Sequence, residues 1–171
     1  MLTVPSTPSV GDGVAASWGA TVAGDVSFLD GSAVTRVQAT SFTTVVTSTG
    51  ATEAVGCSQA VALTTGRRYR VTVAARTWAG TANNRGVIRV RYSTAALSTS
   101  STQAGSDHTT THSGAGGTQA DTVFFFKEFV APSTATYNIG LGCLTSTGTG
   151  NENIDGTAPY NTEVTVDDVG T

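Results

Sequence analysis

The stretch that most constrains the fold runs from Gly66 to Tyr92. It reads Gly66-Arg67-Arg68-Tyr69-Arg70-Val71-Thr72-Val73, a polar turn around Gly80 to Gly86, then Val87-Ile88-Arg89-Val90-Arg91-Tyr92. Apolar and polar residues alternate in both halves, the period of a half-buried β-strand. Tyr69, Val71 and Val73 share one face, with Arg68, Arg70 and Thr72 opposite; Ile88, Val90 and Tyr92 share another, with Arg89 and Arg91 opposite. If the two strands pair, one side of the ribbon is core and the other is a row of arginines.

The same alternation predicts strands near 34–40, 42–47, 52–63, 67–78, 86–94, 121–131, 135–145 and 161–169. Eight short strands with Gly-, Ser- and Thr-rich connections predict an all-β, jelly-roll-like β-sandwich. In strand 121–131, Phe124-Phe125-Phe126 implies burial on both faces, or one face covered by an N-terminal helix or a neighbouring subunit. Pro132 ends that strand, because proline cannot donate to the ladder. Residues 95–120 read as a long Ser/Thr/Gly/Ala loop.

The N-terminus is different. Pro5, Pro8 and Gly11 make residues 1–12 an extended arm. Val14, Trp18, Val22, Val26 and Leu29 then recur at helical spacing, with Asp12 placed to cap. Gly19 and Gly24 weaken this short helix by about 1 kcal/mol each relative to alanine, so it needs a surface to lie on. The chain therefore divides into an arm and helix, 1–31, and a sandwich, 32–171. Val4, Val10, Val14, Trp18, Val22 and Leu29 are the candidate contacts for attachment or oligomerisation.

With 171 residues the chain has room for a sizeable core. Only 12% of residues are charged, about half the usual share. A net charge of −3 argues against a general nucleic-acid binder. Seven arginines fall between Arg67 and Arg91, where no acid intervenes between Glu53 and Asp107. Arg68, Arg70, Arg76, Arg89 and Arg91 are thus either a basic docking face for an acidic partner or half of a set of pairs with the late acids Glu152, Asp155, Glu163, Asp167 and Asp168. The opening Met1-Leu2-Thr3-Val4-Pro5 has neither the basic nor the apolar region of a secretory signal, and no run is long enough for a membrane helix. Cys57 and Cys143 fall in phase with inward residues and read as buried thiols, on facing sheets; a disulfide between them is the alternative.

Few motifs suggest chemistry. His108 and His112 have the spacing of a helical zinc pair, but in an extended chain they stand about 13 Å apart on one face. Asn151-Glu152-Asn153-Ile154-Asp155-Gly156 echoes half of a calcium loop, yet begins with Asn and has Thr162 where a bidentate carboxylate belongs. Asp167 and Asp168 are adjacent, so on a strand they face opposite sides. No catalytic residue, metal or cofactor is expected. Trp78 is the candidate glycan contact, with Tyr92 and Tyr160 as further exposed-aromatic candidates.

Val4-Pro5-Ser6-Thr7-Pro8-Ser9-Val10-Gly11-Asp12 with its following Trp-containing helix, the two arginine strands, Phe129-Val130-Ala131-Pro132 and the ending Val164-Thr165-Val166-Asp167-Asp168-Val169-Gly170 resemble small virion structural proteins of tailed phages infecting actinobacteria, of the head-decoration, minor-tail or fibre type. The resemblance implies a β-sandwich displayed on a virion by an N-terminal segment that attaches or trimerises it. Made in the host cytoplasm without a signal, such a protein would have copies of itself and a major capsid or tail protein as partners. A host-surface glycan is the partner in the alternative reading. Neither nucleic acid nor a membrane is expected to be a partner.

Overall fold

The computed structural model describes residues 34–113, 120–147 and 150–171. The arm and helix expected over 1–31 lie outside the described residues. What is described is all β. The strands are β1 (Thr35–Phe42), β2 (Val46–Thr47), β3 (Ala54–Leu63), β4 (Arg68–Ala79), β5 (Asn84–Ser93), β6 (Thr102–His112), β7 (Asp121–Val130), β8 (Ala135–Thr147), β9 (Glu152–Asp155) and β10 (Thr162–Gly170).

These form two antiparallel sheets. One runs β1-β10-β4 with β7 on the far side of β4, and short β9 and β2 continue from the end of β4; the other runs β3-β8-β5-β6. Setting aside the two short strands, the orders β1-β10-β4-β7 and β3-β8-β5-β6 are the two four-stranded halves of a jelly roll. Alternation builds the core: Tyr69, Val71, Val73 and Ala75 of β4 and Val164 and Val166 of β10 meet Ile88 and Val90 of β5 and Ile139, Leu141 and Cys143 of β8. Burying a side chain of this size stabilises by roughly 1.5–3 kcal/mol. Gln59 stitches the sheets together from β3, donating to the Val164 carbonyl at 3.2 Å and accepting from the Thr40 hydroxyl.

Four expectations change. The segment 95–120 is not one loop, because Thr102–His112 form β6, the edge of the smaller sheet. Its inward positions, Ala104, Thr110 and His112, are small or polar, so it lacks the apolar alternation that marks a strand. The calcium-like turn contains β9, whose four residues are all buried. The two arginine strands do not pair: β4 and β5 lie in opposite sheets. Cys57 and Cys143, by contrast, belong to adjacent strands of one sheet rather than facing sheets. Both are free, buried thiols, Cys57 in a bulge of β3 with a φ of 50°. Burial pushes their thiol pKa values up, to about 11 and about 12.

Candidate functional site

The sequence-level candidates scatter. Val4, Val10, Val14, Trp18, Val22 and Leu29 lie outside the described residues. Because β4 and β5 belong to different sheets, Arg68, Arg70 and Arg76 occupy the outer face of the larger sheet, and Arg89 and Arg91 that of the smaller. No single basic face forms from the five.

Each of these arginines meets an acid. Arg70 donates to Glu128 at 2.9 Å, and Arg68 approaches the same carboxylate at 3.6 Å. Arg76 pairs with Asp155 at 2.9 Å, Arg67 with Asp168, and Arg36 with Asp167. Of the five, Arg76 meets a late acid, as the pairing reading expects, whereas Arg68 and Arg70 meet Glu128, and Arg89 and Arg91 meet Glu53 and Asp107. On the smaller sheet Arg89 forks onto Asp107 at 2.9 and 3.1 Å and also reaches Glu53, while Arg91 grips Glu53 with two nitrogens and donates to the Ser101 carbonyl. The Glu53 carboxylate lies over Gly142, where a Cβ would come within 2.0 Å of it. Burial pushes the Glu53 pKa up, but hydrogen bonds from Arg91 and Arg89 outweigh this and hold it below its ordinary value. Asp107 is likewise held down by its Arg89 hydrogen bonds.

The most unusual chemistry lies inside one end of the sandwich. Glu152, from β9, is fully buried. Its Oε1 stands 3.0 Å from His112 Nε2 and accepts a hydrogen bond from the Thr110 hydroxyl at 3.0 Å. His112 Nδ1 lies 3.0 Å from Asp121 Oδ2, but out of line for a hydrogen bond. The Glu152 carboxylate rests directly on β5, and a Cβ on Gly86 would fall 2.1 Å from its Cδ. Burial pushes the Glu152 pKa up, against the lowering effect of His112 and Thr110. Among the described residues, the buried side-chain atoms left without a hydrogen bond are Thr77 Oγ1, Asn84 Oδ1, His112 Nδ1 and Glu152 Oε2. All four residues lie on strands that meet at this end, since Asn84 is the register partner of His112 and Thr77 that of Asp121.

Sequence reasoning placed both histidines in a loop and Glu152 in a turn, so it missed this cluster. The available signal was that His108 and His112 share a strand face. His108 in fact stacks on Phe125, with ring centroids 4.2 Å apart, and closes the side of the sandwich between edge strands β6 and β7. The calcium-like oxygens diverge: Asn153 donates to the Trp78 carbonyl, Asp155 holds Arg76, and Glu152 turns inward. Among the described residues no three His, Cys, Asp or Glu side chains are grouped as metal ligands, and no helix is long and apolar enough to cross a membrane.

The aromatic candidates separate too. Tyr92 stacks on Phe129 with centroids 4.1 Å apart and packs against the core. Trp78 is half-buried on the outer face at the end of β4. Tyr160, half exposed, carries the Arg76 guanidinium 4.0 Å over its ring. Phe125 is buried, whereas Phe124 and Phe126 are 74% and 54% exposed on the outer face of β7.

The sequence matches no protein-family model and no curated protein.

Proposed function

We propose that this chain is a non-enzymatic structural protein of a virion, decorating or stabilising the exterior of a phage capsid or tail. The jelly roll is the displayed part, and residues 1–30 attach it. The reading starts from the sequence resemblance described above. The observation that carries it further is where the reactive side chains go. His112 and Glu152 have fully buried side chains, and the acids Glu53, Asp107, Glu128 and Asp155 are engaged by arginines of the same chain. Groups that would do chemistry in an exposed cleft instead fasten one strand to the next. A sheet surface of mutually paired charges favours a rigid, weakly charged exterior over a site that receives substrate. The jelly roll is also an architecture of viral capsid domains, an argument from fold analogy alone.

The partners in this reading are further copies of the chain, assembled as trimers, and a major capsid or tail protein. A tagged copy, followed by particle purification and imaging, tests it. Density for the sandwich on the particle exterior is the expected result; a protein absent from purified particles overturns the proposal.

A second reading, a host-glycan adhesion module, is favoured by one place on the surface. Tyr160, Arg76, Asn161 and Glu163 border a shallow depression on the outer face, and Trp78 lies two residues beyond Arg76 on the same face of β4. An aromatic ring beside planar hydrogen-bonding groups suits a sugar ring. A glycan array separates the readings: specific binding lost in Tyr160→Ala supports adhesion, and no binding removes it.

A further inference from the structure

We propose that residues 12–33 of this chain seat on the outer face of its own larger sheet, covering Phe124 and Phe126. Two exposed phenylalanines on the outer face of β7, with Val130 exposed beyond them, call for a cover. At roughly 200 Å² per aromatic side chain, the area they leave open is on the order of 250 Å². That is well below the roughly 800 Å² per partner of a stable protein–protein interface, but it matches one apolar stripe of a short segment.

The register shows that such a segment would start in the right place. Thr35, Asp168, Tyr69 and Phe129 are successive partners across the sheet. The chain upstream of Val34, itself 66% exposed, therefore enters level with the Val130 end of β7. Three strand spacings, about 14 Å, separate β1 from β7, and Phe126 lies about 10 Å further along β7. The diagonal is about 17 Å, close to what the five residues 30–34 span when extended at about 3.3 Å each. The stripe from Val14 to Leu29 would be about 22 Å long at helical rise, and β7 from Val130 to Phe124 covers about 20 Å.

The surface between is shaped for it. Ala39 and Ser41 of β1, Thr165 of β10 and Thr72 and Ala74 of β4 form a floor of small side chains, interrupted by the Glu163 carboxylate between Ser41 and Ala74, with Phe124 and Phe126 as a wall on one side. A depression of about 290 Å³ opens at the β1–β10 part of this floor. Charge agrees at the Val130 end of the face, away from Glu163. Residues 1–33 contain Asp12, Asp25 and Asp30 and no lysine or arginine. Beside Val130 and Phe126, Arg68 and Arg70 share the single carboxylate of Glu128, with guanidinium-bearing side chains 54% and 41% exposed.

This narrows the attaching part of residues 1–30 in the display reading to residues 1–11, and it is tested without particles. Residues 1–11 would be left projecting from a fixed point on the sheet, where a partner could take them up. The full-length protein is prepared with the photocrosslinker p-benzoylphenylalanine in place of Phe126 and, separately, of Phe124 and of Val45, which is exposed elsewhere. After irradiation, products are separated on a denaturing gel and mapped by mass spectrometry. Adducts of monomer mass joining position 126 or 124 to residues 12–33, and absent from the Val45 control, are expected. Adducts of dimer mass would assign the face to a second copy, and no adduct to residues 12–33 from either position would leave it uncovered. Either result overturns the proposal.

Discussion

Replacing Gly86 with alanine tests whether the interior cluster holds the two sheets together. The new Cβ would stand 2.1 Å from Glu152 Cδ and 2.2 Å from Oε2. A carboxylate on the surface would swing aside at little cost. Glu152 is fully buried and held by Thr110 and His112, so it moves only by giving up those contacts or by pushing β9 away from β5. Overpacking a tight interior costs about 1–3 kcal/mol, and each hydrogen bond given up costs about 0.5–1.5 kcal/mol more. Gly86→Ala should therefore destabilise by about 3 kcal/mol, lowering the thermal midpoint by about 6–12 °C for a domain of this size. Urea denaturation would show the midpoint falling at constant m. In Glu152→Ala the obstruction is gone, so adding Gly86→Ala should cost less than about 0.5 kcal/mol more, a coupling above 1 kcal/mol. A Gly86→Ala protein within 0.5 kcal/mol of the parent, or costs that simply add, would refute the reasoning.

Other outcomes follow from the same contacts. Glu53 and Asp107 have folded pKa values below their ordinary ones, so their contribution is complete above the ordinary carboxylate range and is lost as pH falls through the depressed folded values. Urea midpoints measured from pH 6 down to pH 3 should fall, and Glu53→Gln should flatten that slope; an unchanged slope would count against the Arg89–Glu53–Arg91 clamp. Cys57 and Cys143, buried with raised pKa values, should resist a maleimide at pH 8 in the native protein and react fully in urea; stoichiometric labelling of native protein would contradict their placement. Light scattering should report a trimer, and a stable monomer would remove self-association from the proposed assembly.

The strands that the sequence made legible are those whose inward positions are apolar. β4 and β10 alternate Tyr, Val and Val against Arg, Thr and Asp, so period alone locates them. β6 escaped because its core-facing positions include Thr110 and His112, which join a polar cluster rather than the hydrophobic core. β9 escaped because Asn-Glu-Asn reads as a turn until Glu152 and Ile154 are seen facing inward. The arginine pattern was right within each strand and wrong between them, because alternation fixes which way a residue points but not which strand lies beside it. The Glu152–His112 pair joins residues 40 apart, a distance over which local pattern carries no information. The jelly-roll class was readable; the particular chemistry packed inside it was not.

The claim that this is a displayed module attached through its N-terminal segment is tested most directly by deleting residues 1–30 and measuring occupancy on particles. Far-ultraviolet circular dichroism should retain the β signature, since the described strands begin at Thr35. Particles assembled with the shortened protein should carry none of it. A shortened protein that decorates particles at normal occupancy would place the attachment surface on the sandwich and contradict the account.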